Sequence, residues 1–157
     1  MTSEAPYLET RHLLSIAIDP EPPATLGTFP EGERRLVVFR SGSFEGPDGL
    51  RGGLAGGGVD WQTVRADGAI EIRAHYLLRT DDGVPIEIVS DGLRVADPEV
   101  AARMAAGVAV DPSEYYFRTH IRLATSSPRW ERLNRIIAVS TGERRVNDVA
   151  IHVYEVL

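Results

Sequence analysis

The chain has 157 residues, the length of one domain, and 43% of them are hydrophobic, which is enough for a single sizeable core. Its formal net charge of -6 and pI near 5.2 argue against binding to nucleic acid or to anionic membrane surfaces, because both need a basic protein surface. No cysteine is present, which excludes disulfides, thiolate nucleophiles, iron–sulfur clusters and cysteine-bound zinc. All 17 basic residues are arginine, so imine-forming catalysis through a lysine is excluded as well.

Nothing in the sequence indicates export or insertion into a membrane. Residues 1–6 are polar and lack the apolar core of a signal peptide, and no run approaches the ~20 apolar residues that cross a bilayer. The sequence therefore predicts a single domain over residues 1–157 in the cytoplasm, with no membrane and no nucleic acid as partner.

The first part of the chain predicts two strands separated by a loop. Partial alternation of apolar residues predicts a strand over 7–18, and a β-branched and aromatic run predicts another over 34–44. Between them, residues 21–32 contain three prolines and no periodicity, which indicates a loop. The second strand leads into Gly46-Pro47-Asp48-Gly49, a strong turn signal.

A glycine cluster follows, since residues 46–58 hold seven of the fifteen glycines. Glycine allows tight bends and close backbone approach, so the cluster is expected to shape the backbone at the mouth of a barrel. It is not a phosphate loop, because it lacks the Gly-Lys-Ser/Thr ending and leads into a strand rather than a helix.

The residues after the cluster predict a β-hairpin. Residues 59–66 alternate in polarity, Asp67-Gly68 is a favoured two-residue turn, and residues 69–79 alternate again as the antiparallel partner. Such a turn pairs residues whose numbers sum to about 135.

The second half of the chain predicts further strands and one helix. Thr80–Gly83 and Asp91-Gly92 are turn signals, and Asp97 as N-cap with Pro98 at the first helical position predicts a helix that ends at Gly107. Further strands are predicted over 84–89, 93–95, 114–124, 136–140 and 146–156. A short helical or irregular segment is predicted over 129–134, and a turn over 141–145 joins the last two strands.

These elements predict an all-β fold with one short helix. Eight or nine short strands recur at spacings of about ten residues, and helices do not alternate with them. Closing an antiparallel meander removes its exposed edges, so we expect a closed antiparallel barrel of eight to nine strands. A barrel of that size can hold one small ligand in a central pocket.

A set of short motifs spans residues 39–156. The motifs are Gly42–Pro47, Leu50–Gly52, Gly56–Gln62, Arg65–Gly68, Tyr76–Gly83, Gly92–Arg94, Tyr116–Thr119, Leu133–Asn134 and Val153–Val156. In order and spacing they resemble a family of small bacterial and fungal proteins called domain of unknown function 3237, or uncharacterised protein family 0311. The resemblance implies a calycin-like antiparallel β-barrel and no established common activity.

The chain departs from this family at one place. Where the family usually follows Phe-Arg-Thr with a proline, then a phenylalanine and a glutamate, this chain has Ile121, Leu123 and Ala124. If the family's glutamate serves a shared chemistry, this protein lacks it.

The predicted hairpin holds the main candidate site. A sum of 135 places Asp60 opposite His75 and Gln62 opposite Arg73, so an acid, an imidazole, an amide and a guanidinium share one face. If that face lines the barrel, Asp60 and His75 could exchange protons with a bound molecule. If it faces solvent instead, the apolar face that carries Tyr76 fills the core.

A second strand, over 114–124, extends the candidate site. Tyr116, Arg118 and His120 share one of its faces, and Arg118 or Arg73 would stabilise negative charge that develops on a substrate. Trp61 points to the opposite side of the wall from Asp60, as a core residue or as a platform for a ligand. The expected catalytic residues are Asp60, His75 and Arg118, and the expected substrate-binding residues are Trp61, Gln62, Arg73, Tyr76, Tyr116 and His120.

Neither a metal nor a cofactor is expected. The histidines lack HxH or HExxH spacing, and no serine lies in a nucleophile elbow. The sequence favours a cofactor-independent isomerase, cyclase or lyase of secondary metabolism, acting by acid/base chemistry on a small aromatic or polyketide-like molecule. The alternative is a non-catalytic barrel that binds a small molecule, and an exposed sheet face would also allow a homodimer.

Overall fold

Nine antiparallel strands form one sheet in the computed structural model, which describes residues 4–157. The strands are β1 (Thr10–Pro20), β2 (Ala24–Phe29), β3 (Gly32–Glu45), β4 (Arg51–Val64), β5 (Ile70–Thr80), β6 (Pro85–Val95), β7 (Tyr116–Ala124), β8 (Ala138–Arg144) and β9 (Val149–Val156). Helix α1 spans Pro98–Ala105, and 3-10 segments span Pro47–Gly49, Pro112–Glu114 and Pro128–Arg135.

The sheet closes on itself. Strands β3 to β9 pair in chain order, β9 pairs with β1, and β1 pairs with β3, for example at Ile16 and Phe44. Eight strands therefore form the barrel, while β2 lies outside the circuit and pairs only with β3. The prediction of a closed antiparallel barrel of eight to nine strands is confirmed.

Alternation along the strands fills one half of the barrel with apolar side chains. Leu14, Leu78, Ile88 and Ile121 are completely buried there. The 3-10 segment Pro128–Arg135 contributes Leu133, which is 2% exposed, to the same core. The other half of the barrel is left open.

Helix α1 lies at the open half, where Ala101, Met104 and Ala105 line the cavity. Pro98 occupies its first turn, as the sequence predicts, and the backbone carbonyl of Asp97 accepts a hydrogen bond from the N–H of Ala101 at 2.9 Å. Within residues 4–157, no helix has the length and apolar character needed to cross a membrane.

Strand β4 runs through the glycine cluster. Gly56 and Gly57 have φ angles of 68° and 78° and form a bulge, at which the register with β5 shifts. Beyond the bulge, a Cβ on Gly58 would lie 2.4 Å from the Cβ of Tyr76, so only glycine lets the two strands pack at this point. The cluster shapes the strand as expected, but it is not the mouth of the barrel, because the cavity opens at the far end of β4, beside Gly68.

Two segments predicted as loop or turn are strands. Residues 24–29 form β2, whose exposed edge position leaves no hydrophobic alternation to detect. Asp91-Gly92 lies inside β6, where a Cβ on Gly92 would be 2.1 Å from the carbonyl oxygen of Arg118. That glycine permits close contact between β6 and β7 and makes no turn.

The predicted turn over residues 141–145 is also wrong for the most part. Strand β8 continues to Arg144, and a Cβ on Gly142 would lie 2.6 Å from the ring of Phe117. The chain turns after Arg144 instead. There, Nε and one terminal nitrogen of the Arg145 guanidinium each donate a hydrogen bond to the carboxylate of Asp148, both at 2.6 Å. Because the chain turns later than predicted, Arg144 still belongs to β8 and lines the cavity.

Candidate active site

A cavity of about 690 Å³ occupies the open half of the barrel. Its walls are mostly apolar, and the rings of Phe39 and Tyr76 meet edge to face, 5.4 Å apart, where the cavity borders the filled core. Pockets of this size and character hold drug-sized molecules.

Asp60 is the buried acid of this cavity, with 6% of its surface exposed. Its Oδ2 accepts a hydrogen bond from Nε2 of Gln62 at 2.7 Å, and its Oδ1 accepts one from the backbone N–H of Arg73 at 3.0 Å. The backbone pairing between β4 and β5 is interrupted at Trp61 and Gln62. At this gap the backbone N–H of Arg73 donates to the Asp60 carboxylate and not to the backbone of β4. Both carboxylate oxygens are thereby held in one orientation.

Gln62 links Asp60 to an arginine. The Oε1 atom of Gln62 accepts a hydrogen bond from the guanidinium of Arg35 at 2.6 Å, while its amide nitrogen donates to Asp60. The Nε atom of Arg35 is buried without a hydrogen-bond partner among residues 4–157. The chain from Arg35 through Gln62 to Asp60 leaves the amide of Gln62 only one orientation that satisfies both neighbours.

Burial raises the pKa of the Asp60 carboxyl above its ordinary value. The hydrogen bonds from Gln62 and from the N–H of Arg73, and the charges of Arg94 and Arg35, oppose this rise without cancelling it. The ionised carboxylate is therefore a stronger base than an exposed aspartate.

Three arginines on three different strands line the open end. Arg35 comes from β3, Arg94 from β6 and Arg144 from β8. Burial, together with the charges of Arg35 and Arg144, lowers the pKa of Arg94 to about 10. Burial also lowers the pKa of Arg35, although Glu33 and Asp60 oppose this. Arg94 remains charged at neutral pH, and the positive charges of Arg35 and Arg144 repel it in a partly buried position.

The predicted pairing of Asp60 with His75 is wrong, because the hairpin turn has three residues rather than two. The N–H of Arg65 donates to the carbonyl of Ala69 at 2.9 Å, and Gly68 takes a φ of 84°. The paired numbers therefore sum to 134, so Asp60 lies opposite Ala74 and Val59 lies opposite His75.

This shift places His75 and Arg73 on the outer wall. The His75 side chain is 62% exposed, with Nε2 at 3.1 Å from Glu87, and the Arg73 side chain is 73% exposed, near Asp91. Trp61 is also exposed on the outside. Neither His75 nor Trp61 reaches the cavity, and Arg73 contributes only its backbone N–H.

Tyr116, Arg118 and His120 lie on the outer wall too. The guanidinium of Arg118 sits over the ring of Tyr116 at 5.4 Å and donates to the carbonyl of Phe117. All three line a shallow groove outside the barrel. Because strand neighbours alternate, the side chains of β7 that reach the cavity are Phe117 and Thr119. The catalytic role predicted for Arg118 is incompatible with this position.

The structure thus brings together three of the nine predicted site residues in the cavity, Asp60, Gln62 and Tyr76. Burial raises the pKa of the Tyr76 hydroxyl well above its ordinary value, so this tyrosine stays protonated. Within residues 4–157, no three histidine, aspartate or glutamate side chains come together as metal ligands.

Sequence reasoning missed Arg35, Arg94 and Arg144. Arg35 has the same strand parity as the buried Val37, and Arg94 the same parity as the buried Ile88. Strand parity alone could have identified Arg35 as an inward-facing residue. The turn predicted at Asp91-Gly92 separated Arg94 from Ile88, and the turn predicted over 141–145 left Arg144 outside any predicted strand.

Comparisons with known proteins agree with this fold. The family model described as a protein of unknown function (DUF3237) matches residues 8–156. A UPF0311 protein of Rhodopseudomonas palustris is 31% identical over 152 residues, which cover 97% of this chain and 99% of the relative. A crystal structure of a conserved protein of unknown function from that organism matches with a TM-score of 0.91 and 31% identity, over 98% of this chain and 100% of the other.

Two further solved structures are similar. A β-barrel-like protein of Acinetobacter baumannii matches with a TM-score of 0.82 and 34% identity, over 98% of this chain and 99% of the other. An enzyme of Penicillium herquei matches with a TM-score of 0.74 and 21% identity, over 100% of both chains. At that identity the last match shows the shared fold alone.

Proposed function

Since the chain belongs to the DUF3237 family, whose description assigns no activity, we propose a function from the cavity itself: a cofactor-independent enzyme with Asp60 as its base. The substrate is a small aromatic or polyketide-like molecule, and the reaction is of isomerase, cyclase or lyase type. The observation that carries the proposal is the single buried carboxylate, held by two hydrogen bonds inside a largely apolar cavity.

The proton transfer follows from the contacts of Asp60. Each oxygen of the carboxylate accepts one hydrogen bond within the protein, which leaves a lone pair on each to accept a proton from a bound molecule. Removal of a proton from a C–H next to a carbonyl turns Asp60 into a neutral acid and the substrate into an enolate. Return of the proton to a different atom completes an isomerisation. Attack of the enolate carbon on a second carbonyl forms a C–C bond and an alkoxide, and return of the proton from Asp60 to that alkoxide completes a cyclisation.

The arginines support this chemistry. Negative charge that develops on the substrate lies in a cavity with Arg35 and Arg94, and fixed cations in a poorly hydrated site stabilise such charge without reorganisation. A raised pKa also suits the base, since proton transfer is most effective when the pKa of the base approaches the working pH.

The test uses exchange of carbon-bound hydrogen, so that the natural substrate need not be known. 2-Tetralone, a fused aromatic ketone, is incubated with the protein in D2O, and loss of the signals next to the carbonyl is followed by proton NMR. We expect the protein to accelerate exchange and Asp60→Asn to lower the accelerated rate about 100-fold or more. His75→Gln and Asp91→Asn, both on the outer wall, serve as controls that leave the rate unchanged.

A thermal shift with 2-tetralone separates binding from catalysis. The alternative, a barrel that binds a small molecule without reaction, is favoured by the mostly apolar lining. A ligand-dependent rise in melting temperature without accelerated exchange would support that alternative and rule out Asp60 as a base for this class of carbonyl compound. Equal exchange by wild type and Asp60→Asn would also rule it out.

A further inference from the structure

Arg94 is the unusual residue of this cavity. Its guanidinium interacts with neighbouring charges only at a distance and forms no hydrogen bond or ion pair with any of residues 4–157. The other two cavity arginines each have a partner, since Arg35 donates to Gln62 and Arg144 donates to the carbonyl of Arg145 at 3.0 Å. Arg94 is partly buried, and charges that are withdrawn from water in proteins are usually paired.

Among the cavity side chains that are at least partly buried, the charge balance is also positive. Three guanidinium groups face one buried carboxylate, Asp60, whose two oxygens are already bonded to Gln62 and to a backbone N–H. Glu21 and Glu33 also line the cavity, but both are exposed to solvent. A ligand without charge would leave Arg94 desolvated and unpaired, while an anion would relieve both the desolvation and the repulsion from its neighbours.

The strand register places Arg94 nearer the open end of the barrel than Asp60. Asp60 pairs with Ala74, which pairs with Ser90, so these three residues lie at one level of the wall. Arg94 pairs with Ile70, four residues nearer the open end along β6, or roughly 13 Å of strand. A ligand that enters ring first would reach Asp60 with its body while an anionic group stays beside Arg94.

From this geometry we infer that the molecule bound in the cavity is a ring-bearing carboxylate, held by Arg94 at the open end with Arg144 beside it. Arginine suits this task, because its planar guanidinium can donate two parallel hydrogen bonds to a carboxylate. The apolar ring lies below, toward Phe39 and Tyr76. The inference names the substrate class of the proposed enzyme, and it rests on the proposed function only in calling this molecule a substrate.

The test compares two probes of the same shape. 2-Naphthoate and 2-naphthamide share the ring system, and only the first carries a charge, so isothermal titration calorimetry with both measures what the charge contributes. We expect wild type to bind the naphthoate at least ~10-fold more tightly than the amide, and Arg94→Gln to weaken naphthoate binding roughly 30-fold or more while the amide is unaffected. Arg94→Lys keeps the positive charge but loses the planar guanidinium that can donate two parallel hydrogen bonds. This variant should therefore bind naphthoate more tightly than Arg94→Gln and less tightly than wild type.

Two further variants complete the experiment. Arg122→Gln removes an exposed arginine on the outer wall of β7 and should leave the affinities of both probes unchanged. Asp60→Asn should lower the accelerated exchange of 2-tetralone about 100-fold or more yet keep the preference for naphthoate, so the tests of the base and of the anion site have separate outcomes. Equal affinity of wild type for the two probes, binding of neither, or an undiminished preference in Arg94→Gln would each overturn the inference.

Discussion

The amide nitrogen of Gln62 lies 2.7 Å from Oδ2 of Asp60, two residues earlier on the same strand. This spacing puts both side chains on the inner face of β4, where the amide supplies a hydrogen bond that water would supply to an exposed carboxylate. The contact stabilises the ionised form of Asp60 and opposes the effect of burial on its pKa.

Gln62→Met should therefore raise the pKa of Asp60 further. Methionine has a similar length but donates no hydrogen bond, so the ionised carboxylate loses a stabilising contact. The acid limb of the pH–rate profile for 2-tetralone exchange should move to higher pH in this variant. An acid limb that stays in place would show that Gln62 does not tune the base.

Asp60 should make the folded state less stable as pH rises. Its pKa is raised in the folded protein above the ordinary 3.8, so between the two values the folded state binds more protons than the unfolded state. Stability is therefore lost as pH rises from about 4 through the folded pKa. In Asp60→Asn this contribution to the fall in stability with rising pH is absent.

Urea denaturation of wild type and Asp60→Asn between pH 4 and 8 measures the effect. The free energy of unfolding of the variant, relative to wild type, should increase with pH across that window. A difference that is flat or decreases with pH would contradict the burial effect on Asp60.

Arg94→Met should stabilise the protein without ligand by about 1–3 kcal/mol, because it replaces an unpaired, partly buried cation with an apolar side chain of similar length. Thermal or urea denaturation measures the change. Arg122→Met, at an exposed position on β7, should stay within about 0.5 kcal/mol of wild type. A clear loss of stability in Arg94→Met would mean that the charge has a structural partner.

Gly142→Ala should narrow the cavity and destabilise the fold by about 1–3 kcal/mol. The added Cβ would lie 2.6 Å from the ring of Phe117, which must then move into the cavity that it lines. Binding of 2-naphthamide should weaken along with stability. Thr141→Ala changes the outward-facing neighbour and should alter the affinity for this probe little, so equal effects of the two variants would argue against the steric explanation.

At the filled end of the barrel, Glu155 is buried and bonds the exposed Arg11 and Arg132. Burial alone would raise the pKa of Glu155, but the hydrogen bonds and charges of these arginines outweigh it and lower the pKa. The stabilisation is present above the ordinary value of 4.5 and is lost as pH falls through the lower folded pKa.

Replacing both arginines with glutamine should leave the Glu155 carboxylate buried without its partners. We expect a loss of about 1–3 kcal/mol in the free energy of unfolding at neutral pH, because both arginines are more than half exposed and water screens their charges. Urea denaturation at pH 7 and pH 3 should show a smaller loss at the acid pH, because the stabilisation by the ion pairs declines as pH falls below the ordinary pKa of 4.5. The same loss at both pH values would mean that packing, and not the ion pairs, explains it.

Much of the fold was accessible from residue patterns. The strands around Tyr76 and Phe117 show period-two alternation, and the strand around Phe39 shows a β-branched and aromatic run. The number and spacing of the strands point to a closed barrel. Patterns failed where glycine has a packing role: Gly92 and Gly142 resemble turn residues in sequence but lie in strands because a neighbouring strand or ring approaches too closely for a Cβ.

In the candidate site, the residue pattern alone predicts that Asp60 and Gln62 share one face of a strand, because alternation depends only on local backbone geometry. Which other side chains reach that face depends on the strand register and on closure of the barrel. A three-residue turn moved the register by one position and sent His75 to the outer wall, since a shift of one residue reverses the facing of every side chain. Closure of the barrel then gathered Arg35, Arg94 and Arg144 from three strands around the open end, because only a curved and closed sheet directs distant strands toward one cavity.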